Sequence, residues 1–192
     1  TAGGPVTFWT EAFENSCSAG CVADGSNTGN GAWSVTLTGP NFDFGSYNQW
    51  YVSCAENGNA AGMCVTGCGS DESLHMGSQT IGDIGAAYDA GGWCGILWCI
   101  TTDQRAESPT INCTGRSGIT LAFNFIENGQ GATDNATVWY YNGSVWAQID
   151  DPPKVVLCGG QGTWTARSIA LPASADNNPN VKIGFRWINN DD

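Results

Sequence analysis

Apolar and polar residues alternate with a period of two in several stretches of the chain. Ile119, Leu121, Phe123 and Phe125 alternate with Thr120, Ala122 and Asn124; Val181, Ile183, Phe185 and Trp187 alternate with Lys182, Gly184 and Arg186. Successive strand side chains point to opposite faces, so each pattern predicts a strand with one face in a core. Segments 136–141, 145–149 and 163–171 predict three more strands, and Asn142-Gly143 predicts a type I′ hairpin between the first two. Segments 6–10, 33–38, 50–54 and 73–77 read as strands in the less regular N-terminal half. No stretch of helical length keeps apolar residues at i, i+3, i+4 and i+7. Asp150-Asp151-Pro152-Pro153 predicts a turn, because proline cannot donate to a ladder. The expected fold is all-β: a two-sheet antiparallel sandwich of jelly-roll type, with about ten strands. Neither a repeat nor a linker-like stretch interrupts it, so 1–192 is expected to form a single domain, long enough to bury a core.

Nine cysteines in 192 residues change the picture of the environment. Cysteine at this density points to an oxidising, extracellular compartment and to disulfide-stapled loops. The spacings Cys17-x3-Cys21, Cys64-x3-Cys68 and Cys94-x4-Cys99 resemble structural zinc pairs, but the extracellular composition favours disulfides. Local pairing within those three pairs is expected, with Cys113 joined to Cys158 and Cys54 left over. Region 54–100, rich in cysteine and glycine, is expected to form long loops around strand 73–77. Secretion rests on the cysteines, since no signal peptide is visible and Thr1 reads as a mature or trimmed start. No apolar run reaches the roughly 20 residues of a membrane span.

Charge narrows the partners. Eighteen acidic against six basic residues give a net charge of −12, and no lysine–arginine cluster exists to hold phosphate backbones. Nucleic acid and membrane insertion are therefore not expected, whereas a hard divalent cation suits carboxylate and carbonyl oxygens. One structural calcium is expected where acids at strand ends converge: Glu14, Asp71 and Glu72, with Asp191 and Asp192 after the last strand.

Catalysis finds little support. His75 is the only histidine, no G-x-S-x-G elbow accompanies it, and in strand 73–77 it should face away from Leu74 and Met76. None of the glutamates (Glu11, Glu14, Glu56, Glu72, Glu107 and Glu127) lies in a recognisable glycosidase signature. Aromatic residues offer a binding surface instead. Trp139, Tyr141 and Trp146 on the hairpin are candidates for stacking on sugar rings. Asn112, Asn135 and Asn142 head N-x-S/T triplets and are candidate glycosylation sites.

Ala106-Glu-Ser-Pro-Thr-Ile-Asn-Cys-Thr-Gly115, Thr133-Asp-Asn-Ala-Thr-Val-Trp139, Gln161-Gly-Thr-Trp164 and Ile183-Gly-Phe-Arg-Trp-Ile-Asn-Asn-Asp-Asp192 carry a family resemblance. So do Ile119-Thr-Leu-Ala-Phe123, Ile169-Ala-Leu-Pro172, Phe13-Glu14-Asn15 and Gly31-Ala32-Trp33. Over residues 70–192 the chain resembles the jelly-roll modules, MAM-like or galactose-binding-like, of secreted Bacteroidetes surface and adhesion proteins, many exported by the type IX route. The resemblance implies a sandwich that works at the cell surface. Members of that family continue into a final Asp-Asp-Ile-like strand, which this sequence lacks; an edge left open for another chain is the resulting expectation. The expected function is a non-catalytic extracellular structural or adhesive module, a repeating subunit of a surface filament, with copies of itself or other surface proteins as partners. A carbohydrate-binding module taking polysaccharide, or an accessory domain of a secreted hydrolase, is the alternative.

Overall fold

The structure, a computed structural model, describes residues 4–14, 21–22, 29–41, 48–67, 69–77, 101–159 and 161–189. It is nearly all β. The strands are β1 (Cys21–Val22), β2 (Ser34–Leu37), β3 (Gln49–Ser53), β4 (Ser73–Gly77), β5 (Thr102–Glu107) and β6 (Thr120–Phe125). They continue as β7 (Asn135–Tyr141), β8 (Trp146–Asp150), β9 (Leu157–Cys158), β10 (Gln161–Gly162), β11 (Thr165–Ala170) and β12 (Lys182–Asn189). A single 3-10 turn, Ala173–Ala175, is the helical content among the described residues.

Every named strand pairing is antiparallel. The largest sheet has five strands in the order β2-β5-β12-β7-β8; β1-β3-β4 form a second sheet, and β11-β6 and β10-β9 form two ribbons. Register assigns the faces of the large sheet. Val35, Ala106, Phe185 and Val138 lie opposite one another across β2, β5, β12 and β7. These residues turn inward, and two clusters grow on them. Trp50 and Met76 pack with Trp33, Ala106 and Trp187, while Ile183, Val138 and Tyr140 pack with Ile111, Ile119 and Val181. Phe185 and Trp9 touch both clusters, which joins the inner face to β3–β4 on one side and to the β6 ribbon on the other.

The alternating sequences behave as their period requires. β6 alternates exposed and half-buried residues along its whole length, and β11 pairs with it over six positions. Strand 73–77 holds the expected bounds, with Leu74 and Met76 on the core and His75 against Tyr51. Three expectations need correction. Segment 6–10 forms no ladder; its Phe8 and Trp9 pack on the core as an extended, unpaired segment. The β7–β8 turn is longer than a type I′ hairpin: Tyr141 pairs with Trp146, and of Asn142 and Gly143 only Gly143 has positive φ, 94°. The Asn142 side chain closes that turn by accepting the Ser144 and Val145 amides, each at 2.9 Å. Strand β5 was not expected, because its sequence Thr-Asp-Gln-Arg-Ala-Glu is polar, yet all six residues are buried between β2 and β12 in the large sheet.

The disulfide pattern also differs. Cys158 is bonded to Cys64, at a Cα–Cα distance of 5.6 Å that suits the bond, and not to Cys113. Cys113 is a free thiol, 1% exposed, enclosed by the Ile111–Ile119 cluster, and burial pushes its pKa up. Cys64 therefore does not pair with Cys68, and Cys54, expected to be left over, is disulfide-bonded. Cys17, Cys68, Cys94 and Cys99 lie outside the described residues, as does the Cys21 side chain.

Candidate functional site

A cavity of about 700 Å³ lies against β3–β4, the inner face of the large sheet and β6. Its size falls within the range of small-ligand sites. The aromatic lining comprises Phe13, Trp50, Phe123, Phe125, Trp164, Phe185 and Trp187. Five glutamates line it as well, Glu11, Glu14, Glu56, Glu72 and Glu127, whereas no lysine or arginine does among the described residues.

Local structure fixes each of these carboxylates. Phe13, at φ 58°, packs its ring 5.2 Å from that of Trp33. Glu11 clamps the same bend, accepting the Phe13 amide at 3.0 Å and Trp33 Nε1 at 3.1 Å. Glu14 follows and accepts the Glu72 amide at 3.0 Å. The segment before β4 is held from behind: Asn59 Nδ2 donates to the Glu72 carbonyl, and the Asp71 amide donates to Asn57 Oδ1. Burial, then the nearby Glu14 charge, pushes the Glu72 carboxyl above the usual range. Glu127 accepts the Lys154 ammonium and the Gly129 amide; burial outweighs that lysine and raises its pKa too. Glu56 Oε2 approaches His75 Nδ1 at 2.8 Å.

The cavity wall contains polar atoms without a hydrogen-bond partner among the described residues. Ser73 and Trp164 are each 7% exposed, and neither Ser73 Oγ nor Trp164 Nε1 has a partner among the described residues. A buried donor without an acceptor costs about 1–3 kcal/mol, so such atoms mark a place where a ligand would be welcome. Trp164 is set there by the Cys64–Cys158 bridge and by a short ladder: its amide donates to the Met63 carbonyl at 2.9 Å, and its carbonyl accepts the Gly62 amide at 2.7 Å.

The outer face of the large sheet carries a second cluster. Arg105, Glu107, Asp103 and Arg186 share that face with Trp139, Tyr141 and Trp146. Arg105 donates to Glu107 through Nε and Nη2 at 3.1 and 2.8 Å, and its guanidinium sits 3.9 Å from the Trp146 ring centre. Arg186 forks onto both Asp103 oxygens at 2.7 Å and lies 5.3 Å from the Trp139 ring. Burial would raise the Asp103 pKa, but the bonds from Arg186 and Thr38 hold it below the usual range. Trp139, Tyr141 and Trp146 thus lie on one face of the sheet. Arg105 occupies one ring face of Trp146, so this cluster is a packed ladder of guanidinium and indole.

The remaining candidates are placed as follows. Glu14 and Glu72 meet, Asp71 is tied through its backbone to Asn57, and Asp191 and Asp192 lie outside the described residues. No three His, Cys, Asp or Glu side chains converge among the described residues as a metal site would require. Asn112 is exposed and Asn142 half-buried, whereas Asn135 is buried with its amide spent on Asp151 and Lys154, which closes that triplet to a glycan. No described helix is long and apolar enough to cross a membrane. Comparison of the chain with protein-family models, with curated proteins and with solved structures returns no match. The cavity is not legible in the sequence, because its walls come from segments more than a hundred residues apart. The clue was present in Trp50, Trp164 and Trp187, more indole than the strands need for packing alone.

Proposed function

We propose that the chain is a non-catalytic adhesive module of the cell surface or secreted space, a jelly-roll sandwich that binds carbohydrate in the cavity between its sheets. The observation that carries this reading is the cavity itself: indole and phenyl rings stand beside carboxylates and unpartnered polar atoms. Rings stack on the apolar faces of sugars, and buried polar groups select hydroxyls by direct hydrogen bonds. Binding rather than turnover suits the glutamates. Glu11, Glu14, Glu56 and Glu127 each hold a structural partner, which leaves no evident acid–base pair aimed at one bond. A Cys64–Cys158 bridge suits an oxidising environment.

The test is a titration of intrinsic tryptophan fluorescence with soluble oligosaccharides of several backbones. Saturable quenching that Trp164→Phe weakens supports the reading. Failure of every backbone to bind overturns it.

A second reading is favoured by one observation. β2 and β8 bound the five-stranded sheet, and Leu37 and Val145 beside them are 64% and 60% exposed. Sheet edges that no described strand covers permit head-to-tail pairing between copies, the geometry of a filament subunit. Electron microscopy of native material tests it, with regular polymers expected and dispersed particles against it.

A further inference from the structure

We infer that the cavity selects a cationic saccharide, a glycan bearing protonated amino groups, over neutral and acidic glycans. The inference rests on the carbohydrate-binding reading and adds the charge class of the ligand. Two independent features of the cavity carry it. One is its sign. Glu127 is neutralised by Lys154, but Glu14 receives the neutral Glu72 amide, and Glu72 Oε2 is a buried atom without a partner among the described residues. Two adjacent carboxylates without a cation against them form a site for an ammonium group, and they repel a uronate. The other feature points to a ligand without reference to charge. Trp164 and Ser73, more than nine-tenths buried, line the same space with Nε1 and Oγ unpartnered.

The two features reinforce each other. An amino sugar offers an apolar ring face to the indoles, hydroxyls to Nε1 and Oγ, and an ammonium group to Glu14 and Glu72. Aromatic walls attract the same ammonium through their ring quadrupoles. A net charge of −12 adds a long-range field that draws cations and repels polyanions.

The experiment compares three soluble oligosaccharides on the full chain by calorimetry: a glucosamine oligomer, its N-acetylated counterpart on the same backbone, and an oligogalacturonate. The pH is set where the amine is protonated and carboxylates are ionised. The glucosamine oligomer is expected to bind at least about tenfold tighter than the acetylated one, with no binding of the uronate. Glu72→Gln and Glu14→Gln should each erase most of that preference while leaving binding of the acetylated oligomer, which also shows that the variant is folded. Asp151→Asn, on the exposed turn, should change nothing. Equal binding of charged and acetylated oligomers overturns the charge selection and leaves the carbohydrate reading standing. Binding of none of the three overturns the inference and the carbohydrate reading for these backbones. A loss in Asp151→Asn equal to that in Glu72→Gln shows diffuse attraction to an acidic surface and also overturns the inference.

Discussion

Arg105 shows how a single residue can decide a sheet. Its guanidinium is bonded to Glu107 and stacked on Trp146, and the side chain is only 8% exposed. Lysine offers a point charge without the planar fork, so it replaces neither contact. Arg105→Lys is expected to lower stability by about 1–3 kcal/mol and Arg105→Ala by about 3–5 kcal/mol, because alanine leaves Glu107 buried and unpaired. Thermal denaturation checks the order of the two. Gly184 is the counterpart on β12. A Cβ there would stand 2.6 Å from Arg105 Cδ and 2.9 Å from Trp146 Cζ3, so the bare backbone is what lets the arginine cross the strand. Gly184→Ala should cost about 1–3 kcal/mol, a steric cost that denaturant unfolding would reveal. Acidity acts through a few further residues. Asp103 has a lowered pKa, so its contribution is present above the ordinary carboxylate range and is lost as pH falls through the folded value. Glu72 and Glu127 have raised values, so their ionised forms weigh against folding at neutral pH, and protonation relieves that cost as pH falls. The melting temperature should therefore peak at mildly acidic pH and fall beyond it, and Asp103→Asn should remove the steep part of the acid-side fall.

At the level of elements, legibility followed the solvent. Strands β6, β11 and β12 could be read because one face meets water or polar neighbours and the other meets the core, which writes a period of two into the sequence. β5 hid because its outer face is buried against charge. Gln104 and Ala106 turn inward while Asp103, Arg105 and Glu107 turn outward, so the alternation is present, but between two kinds of buried residue. Segment 6–10 misled in the opposite direction: Phe8 and Trp9 supply core rings without a strand beneath them. Disulfide connectivity was not legible at all. Cys64 and Cys158 are separated by 94 positions and meet because Cys64 pairs with Thr163 in an isolated bridge beside β9–β10. Closing so long a loop is worth about 4–5 kcal/mol in the chain-entropy model. Peptide mapping without reduction should recover Cys64 linked to Cys158, and Cys113 should be alkylated only after denaturation. Replacing both bridged cysteines by serine should lower the melting temperature and loosen Trp164, which predicts weaker glycan binding as well.

At the scale of the whole molecule, sheets of unequal size leave a space between them. Residues of the five-stranded sheet, of β3–β4 and of β6 line one cavity. Composition hinted at such a surface through nine tryptophans and few charges, but only the fold brings residues 11–14, 72–73, 123–127 and 164 to one place. The sequence placed its aromatic platform on the hairpin, at Trp139, Tyr141 and Trp146, which the fold sets on the outer face. There Trp139 and Trp146 are already stacked on arginine, whereas the inner-face rings line the cavity. A crystal structure of the chain with an oligosaccharide that binds it decides between the two faces. The account predicts sugar density inside the cavity, with one ring stacked on Trp164 or Trp50 and a polar contact to Glu72. Sugar bound against Trp146 and Tyr141 on the outer face, with the cavity empty, would contradict it.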